Sequence, residues 1–450
     1  MNKKRPWSNC RLLHQKMVVT ALALCVPLWL VSAGDGRAQT LSEMLPKAIA
    51  NSSKIKAAEA DVEAARQGVR NSRAAYLPSF DVTTSYGYEK QNKEGATANT
   101  SAPPREGKLS LTQLVTDFGK TNSAIDNKLA LQEKAEAELG NVRQTILLDA
   151  LTAYVNLLKA IEGLDYARRS EANIVRQTGM EEARVERGAG LPTDVLQAKS
   201  QLAGAQARRS RAEGALVTAL NRYRYVFGEV PANISRLQRP VPRYDLLPDN
   251  LETAITVAGE KNLALRAASL SATAARRSVD ESYASYFPKL QIKGDLKQQR
   301  DVDGTLTGEN WKNVKIIKLE LTYPFDIGFV TKNATLDIAR AGHASAENKY
   351  QDTFKSTRES VENAYQRYQT DRTNAAFLQN QANISEQFLV LARRERELGR
   401  RSLLDILTAE TTLLNAQSDA VASQYDVQIG FFSVLAAMGS LDQSAVAGTP

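Results

Sequence analysis

Between residues 142 and 164 apolar side chains recur in two interleaved stripes. Val142, Ile146, Ala150, Ala153, Leu157, Ala160 and Leu164 form one, and Leu147, Leu151, Tyr154, Leu158 and Ile161 form the other. At about 100° per residue the second stripe lies about 140° round a helix from the first. A helix resting on a globular core needs one apolar face. Two faces at that angle suit a staff in the curved wall of a helical cylinder, with a neighbour on each side, although a four-helix bundle with a wide core face would also use them. Proline is absent from Arg105 to Leu191 and from Phe325 to Thr449, and both stretches are rich in Ala, Leu, Glu, Gln and Arg. Each therefore predicts a very long helix, 120–187 in the first and 330–398 in the second. The first would run roughly 100 Å at about 1.5 Å per residue, beyond an ordinary domain. Helices over 41–76, 194–227 and 403–438 are about half as long, so two of them stacked end to end would match one long helix.

Between the helices the period falls to two. Phe80, Val82, Thr84, Tyr86 and Tyr88 alternate with Asp81, Thr83, Ser85, Gly87 and Glu89, and Leu290, Ile292 and Leu296 alternate with Lys289, Gln291, Lys293 and Asp295. With returning strands at 108–116 and 314–326 across polar loops at 90–107 and 301–313, these predict hairpins spanning 79–116 and 289–326. Strands of about ten residues with one apolar face and interspersed aromatics are what a transmembrane β-barrel uses. Four strands cannot close a barrel, which needs about eight, so the chain must borrow strands from copies of itself; three chains would supply twelve.

The whole pattern occurs twice. Residues 41–80 align without a gap on 251–290 at an offset of 210, RAAYLPSF (Arg73–Phe80) returning as YASYFPKL (Tyr283–Leu290). KLSLT at Lys108 answers KLELT at Lys318, Asp117 and Gly119 answer Asp326 and Gly328, and from Ala153 and Tyr154 an offset of 211 holds to Gly228 and Gly439. Two tandem copies of one module, 39–228 and 251–441, are joined by a proline-rich linker at 229–250 that is expected to pack as a belt near mid-length with the C-terminal segment; 442–450 is expected to be a disordered tail.

Residues 1–38 read as a signal peptide: a basic start, an apolar run from Met17 to Ala33, and small residues at Gly36-Arg37-Ala38. No stretch has the 18 or so apolar residues of a transmembrane helix. Both cysteines, Cys10 and Cys25, lie in the leader, so no disulfide or lipid anchor is expected in the mature chain. The leader carries six bases and one acid, so the overall +8 falls to +3 without it, and nucleic acid is not an expected partner. Past the leader there is one histidine, His343, no phosphate-cradling glycine loop and no HExxH or CxxC spacing, so no catalytic, cofactor or metal residue is assigned and the chain is not expected to be an enzyme.

The tandem order of helix, hairpin, long helix and short helix, the turns at Pro78 and Pro288, and the tripeptides DFG at Asp117 and DIG at Asp326 resemble the TolC family of outer-membrane efflux and secretion channels over residues 39–441. The resemblance implies a mainly α, TolC-like fold with a small β part: a homotrimer whose long helices form a twelve-helix barrel and whose hairpins, four strands per chain, form a twelve-stranded transmembrane β-barrel. It implies a place in the outer membrane of a Gram-negative bacterium, in contact with its lipid and extending into the periplasm. There the channel would be the passive exit duct of a tripartite system for drugs or type I secreted proteins, served by a periplasmic adaptor and driven by an inner-membrane ABC or RND transporter.

The proximal helix turns are the candidate site. RGAGLPTDVLQA (Arg187–Ala198) offers Thr193 as a helix cap ahead of Asp194, and its copy LGRRSLLDILTA (Leu398–Ala409) offers Ser402, with Asp405 aligned on Asp194. Capping alone would account for these residues. In the family an arginine at the place of Arg401 reaches the equivalents of Thr193 and Asp194 on the adjacent protomer and locks the tips. Asp405 stands at one position of the family's acidic aperture ring, Thr408 at the other, and Arg396 at a gating position where the family has tyrosine. Gly188, Leu191, Gly399 and Leu403 are the expected adaptor contacts, where a glycine turn beside an apolar residue lets a partner hairpin approach; helix termination alone would also explain both glycines. The alternative reading is a secreted trimeric coiled-coil adhesin or structural stalk.

Overall fold

A computed structural model describes residues 41–91, 100–231, 233–234, 237–302, 310–325 and 327–446, and within them two helices, a long hairpin, a long helix and a shorter helix occur twice, with two short strands added in the first half. Residues 1–38, expected to be a signal peptide, and Asp326 of the DIG tripeptide lie outside the described residues. The first half runs α1 (Leu41–Asn51), α2 (Ser53–Arg73), β1 (Ser79–Tyr86), β2 (Glu89–Gln91), β3 (Thr100–Ala102), β4 (Arg105–Thr116), α3 (Lys120–Glu186) and α4 (Pro192–Phe227). The second runs α5 (Leu251–Lys261), α6 (Leu263–Ala284), β5 (Lys289–Arg300), β6 (Lys312–Thr322), α7 (Val330–Glu397) and α8 (Leu403–Ala437).

The long helices α3 and α7 have 67 and 68 residues, each about 100 Å of continuous helix. They act as full-length staves, and the shorter helices divide their length. In the strand-proximal half the packing order across the wall is α2, α3, α6, α7; in the other half it is α4, α3, α8, α7. Each α3 stripe thus meets a different neighbour, and Ile146, Ala150, Ala153 and Leu157 are buried on one while Leu147, Leu151, Tyr154 and Leu158 are buried on the other. The wall has two free edges, α2 with α4 on one side and α7 on the other.

The single helix expected over 41–76 is broken. Ser52 adopts extended backbone and caps α2 by accepting from the Ile55 amide, and Asn262, its counterpart at offset 210, does the same for α6 with the Leu265 amide at 3.0 Å. Asn262 also donates to the Ala437 carbonyl at 3.0 Å, and Gly439 (φ 74°) lies so close that a Cβ there would be 2.6 Å from Asn262 Cα. A local polar residue that satisfies free helix-end amides makes the bend cheap, and the bend lets α6 pass the end of α8.

The largest core sits at mid-length, where Tyr154, Tyr223, Phe227, Tyr425, Phe431 and Phe432 are fully buried with Met44 and Leu45 of α1 and Ala254 of α5. The linker and the C-terminal segment close over it. Arg243 donates its amide to the Ala445 carbonyl at 3.1 Å and Pro242 bridges Val446. Residues 442–446 are therefore not a disordered tail: they form a turn capped by Asp442, with Ala445 wholly buried.

The main sheet has the order β1-β4-β5-β6, antiparallel throughout, and β2 pairs β3 inside what the alternation suggested was a polar loop. Register sorts its two faces. Phe80, Leu111, Gly294 and Ile317 lie in one row, and Val82, Leu109 and Leu296 in the next, with Ile292 beside Leu319 and Leu290 beside Leu321 on the same face. Most of these side chains are exposed, Ile317 by 87%. The opposite face carries rows such as Thr112, Lys293 and Lys318, and Ser110 with Asp295. At the junction with the helices an aromatic band gathers: Phe118 stacks on Phe287 at 5.9 Å, Tyr286 approaches Phe329 at 6.0 Å, and Phe325 meets Phe329 edge-on at 5.4 Å. Tyr76 donates to Asn122 and its counterpart Tyr286 donates to Asn333, so both corners are tied alike.

Candidate functional site

Both proximal turns end their long helix in the same way. Gly188 (φ 71°) and Gly399 (φ 74°) occupy the left-handed region, which lets Ala189 return its amide to the Arg184 carbonyl at 3.0 Å and Arg400 to the Glu395 carbonyl at 2.9 Å. Neither glycine has any atom within 4 Å of a would-be Cβ, so both faces are open. Leu191 is exposed by 63%. Leu403 is half-buried and packs on the cluster of Ile174, Ala198, Ala205 and Leu407.

The caps differ too. Ser402 accepts from the Asp405 amide at 3.1 Å while Asp405 accepts from the Ser402 amide at 3.3 Å, a reciprocal capping box. Thr193 caps nothing. Pro192 takes the first helical position, with its fixed φ and no N–H to satisfy, so the helix starts from Leu191 and leaves Thr193 and Asp194 exposed inside the first turn. Thr408 is exposed and its hydroxyl donates to the Leu404 carbonyl of its own helix at 2.9 Å. Arg401 is held within its own chain, donating to Glu395 with its guanidinium 5.0 Å from the Phe388 ring centroid.

Above the turns, two carboxylates sit inside the protein. Glu181 of α3 is 2% exposed and receives Arg184 at 3.1 Å and Arg396 of α7 at 3.5 Å. Glu410 of α8 is 5% exposed; Arg393 of α7 donates to it at 2.6 Å and Gln177 of α3 donates to its other oxygen. These contacts join α3 to both α7 and α8. The Arg396 Nη1 and Gln177 Oε1 atoms are buried without a partner among the described residues.

The sequence matches the family described as outer membrane efflux protein over residues 44–229 and 254–440, one span in each half. The chain belongs to that family. It is 23% identical over 427 residues to the outer membrane protein TolC of Escherichia coli, covering 90% of this chain and 83% of that one. Its fold is similar to that of a membrane protein from Pseudomonas aeruginosa (TM-score 0.78, 21% identity, 89% of this chain and 93% of the other). It is also similar to the outer membrane protein VceC from Vibrio cholerae (TM-score 0.76, 19% identity, 89% and 96%). The family is one of transport channels rather than enzymes, and the chain is an outer-membrane protein with the role of an efflux channel.

Of the residues expected at the gate of this efflux channel, the fold gathers Thr193, Asp194, Arg396, Arg401, Asp405 and Thr408 at one end of the wall, but within one chain Arg401 does not reach Thr193 or Asp194. Sequence reasoning passed over Glu181 and Glu410. The signal was present: Glu181 continues the buried series Ile174 and Thr178, and Glu410 lies between the buried residues Ile406 and Leu413, so each is a charge on an otherwise core-facing stripe.

Proposed function

We propose that three copies of the chain close into one duct, a twelve-stranded barrel in the outer membrane continued by a twelve-helix cylinder in the periplasm. The reading rests on the two open edges. β1 and β6 are the outer strands of an alternating antiparallel sheet, so they run in opposite directions, and β6 of one copy can pair with β1 of the next without breaking the alternation. A head-to-tail contact of this kind closes into a ring, and α7 meets α2 and α4 of the neighbour on the same sides. The exposed apolar face then meets lipid and the aromatic band marks its periplasmic boundary.

The duct is the passive exit of a tripartite exporter for drugs or type I secreted proteins. An inner-membrane ABC or RND transporter supplies the energy through a periplasmic adaptor, which docks on the open turns at Gly188, Leu191 and Gly399. In the closed trimer Arg401 exchanges Glu395 for Thr193 and Asp194 of the adjacent copy, and three Asp405 carboxylates ring the aperture beside Thr408 and Arg396. Light scattering of the detergent-purified protein should return three times the chain mass; a monomer refutes the duct. In planar bilayers Arg401→Ala or Asp194→Ala should raise single-channel conductance, and unchanged conductance removes both from the gate.

A further inference from the structure

The polar face of the sheet carries an excess of fixed positive charge. Register places Lys108, Lys289, Lys293, Lys297, Lys312 and Lys318 on it, six cations. Four carboxylates share the face: Asp81, Glu106, Asp295 and Glu320. The ion pairs do not remove the imbalance. Glu320 is shared by Lys293 at 2.5 Å and Lys318 at 2.6 Å, and Asp295 takes Lys108 at 3.2 Å together with the Ser110 hydroxyl at 2.9 Å. Lys289, Lys297 and Lys312 have no carboxylate within ion-pair distance among the described residues, and neither Asp81 nor Glu106 has a base. Around the proximal turns, residues 181–199 and 393–410, bases and carboxylates are equal in number, so the turns add no net charge to offset the surplus.

We infer that the barrel lumen is anion-selective, with Lys297 and Lys312 as the selectivity-determining residues. The inference rests on the duct reading, in which the polar face lines the lumen and each copy adds two excess cations. Two lysines sharing one carboxylate, and three with none, keep ammonium groups free to attract counter-ions, and lipid and protein around a narrow lumen focus that field. The Debye length is about 10 Å at about 0.1 M salt, so an ion passing within that distance of the wall feels the surplus. The favoured cargo is by the same argument anionic: a carboxylate- or sulfonate-bearing small molecule or an acidic polypeptide rather than a cationic one.

The test is the reversal potential of the purified full-length channel in a planar bilayer under an asymmetric KCl gradient. The expected sign reports chloride preferred over potassium, on the order of two-fold at low ionic strength and fading as salt is raised. Lys297→Glu with Lys312→Glu turns two excess cations per copy into two excess carboxylates and should invert the sign. Should that variant fail to assemble, Lys297→Gln with Lys312→Gln balances the face and should bring the reversal potential to near zero. Pores that prefer potassium, or a reversal potential that neither pair moves, overturn the inference and leave the duct standing. A protein that forms no pore overturns both.

Discussion

Removing either partner of the Arg393–Glu410 pair breaks the same contact, yet the two losses should differ. Glu410 is 5% exposed, whereas the Arg393 side chain is 55% exposed. Arg393→Ala leaves a carboxylate in the interior with Gln177 as its remaining donor, and an uncompensated buried charge costs about 3–5 kcal/mol. Glu410→Leu releases Arg393 to water, and the loss is the acceptor of one buried amide, about 1–2 kcal/mol, partly offset by the new apolar burial. Arg393→Ala should therefore be the more damaging by roughly 2 kcal/mol, and the double variant should be no worse than Glu410→Leu alone. Urea unfolding of the detergent-purified channel, followed by far-UV circular dichroism, gives the ranking from the midpoints. If Glu410→Leu is as costly as Arg393→Ala, Glu410 is not held inside as an ion, and its joining of α3 to α7 and α8 carries no energetic weight.

Gly439 and Gly399 share φ 74°, but only Gly439 faces backbone, at 2.6 Å, so Gly399→Ala should cost about 1–2 kcal/mol of left-handed strain while Gly439→Ala should cost several times more or prevent assembly; equal losses in melting temperature would show that Asn262 is not packed as described. Tyr154 donates to the Gln238 carbonyl at 2.8 Å whereas the Tyr223 hydroxyl is buried without a partner among the described residues, so Tyr154→Phe should lose about 1 kcal/mol and Tyr223→Phe should be neutral or stabilising in the same unfolding assay. Burial pushes the Tyr154 phenol up to about 12. The folded protein thus keeps a proton that the unfolded chain releases near pH 10, and this share of stability is intact below pH 10 and lost as pH rises toward 12. Tyr154→Phe should flatten that alkaline decline, and a decline of unchanged steepness would count against the assignment.

The elements that could be read from the sequence are those whose causes are local. Long helices follow from an absence of proline and from stripes on α3 that need no partner to be seen, and the hairpins follow from a period of two. What escaped depends on contacts between segments far apart in the chain. The C-terminal turn at 442–446 is fixed by backbone pairing with residues 242 and 243, which leaves no side-chain pattern, so its small polar residues looked like a tail. The start of α4 was misplaced because Thr193 has the chemistry of a cap and Pro192 has the stronger geometric preference for the first position. The bends at Ser52 and Asn262 lie between the two cases. Either residue alone inside a helical pattern means little, but they occupy matched positions of the duplication, and both are residues whose side chains cap helix ends. A repeat in which a cap-forming residue recurs at the same internal place, while its neighbours vary, is evidence for a chain break that neither copy provides alone, and the same comparison would have marked Gly228 and Gly439 as the left-handed ends of α4 and α8.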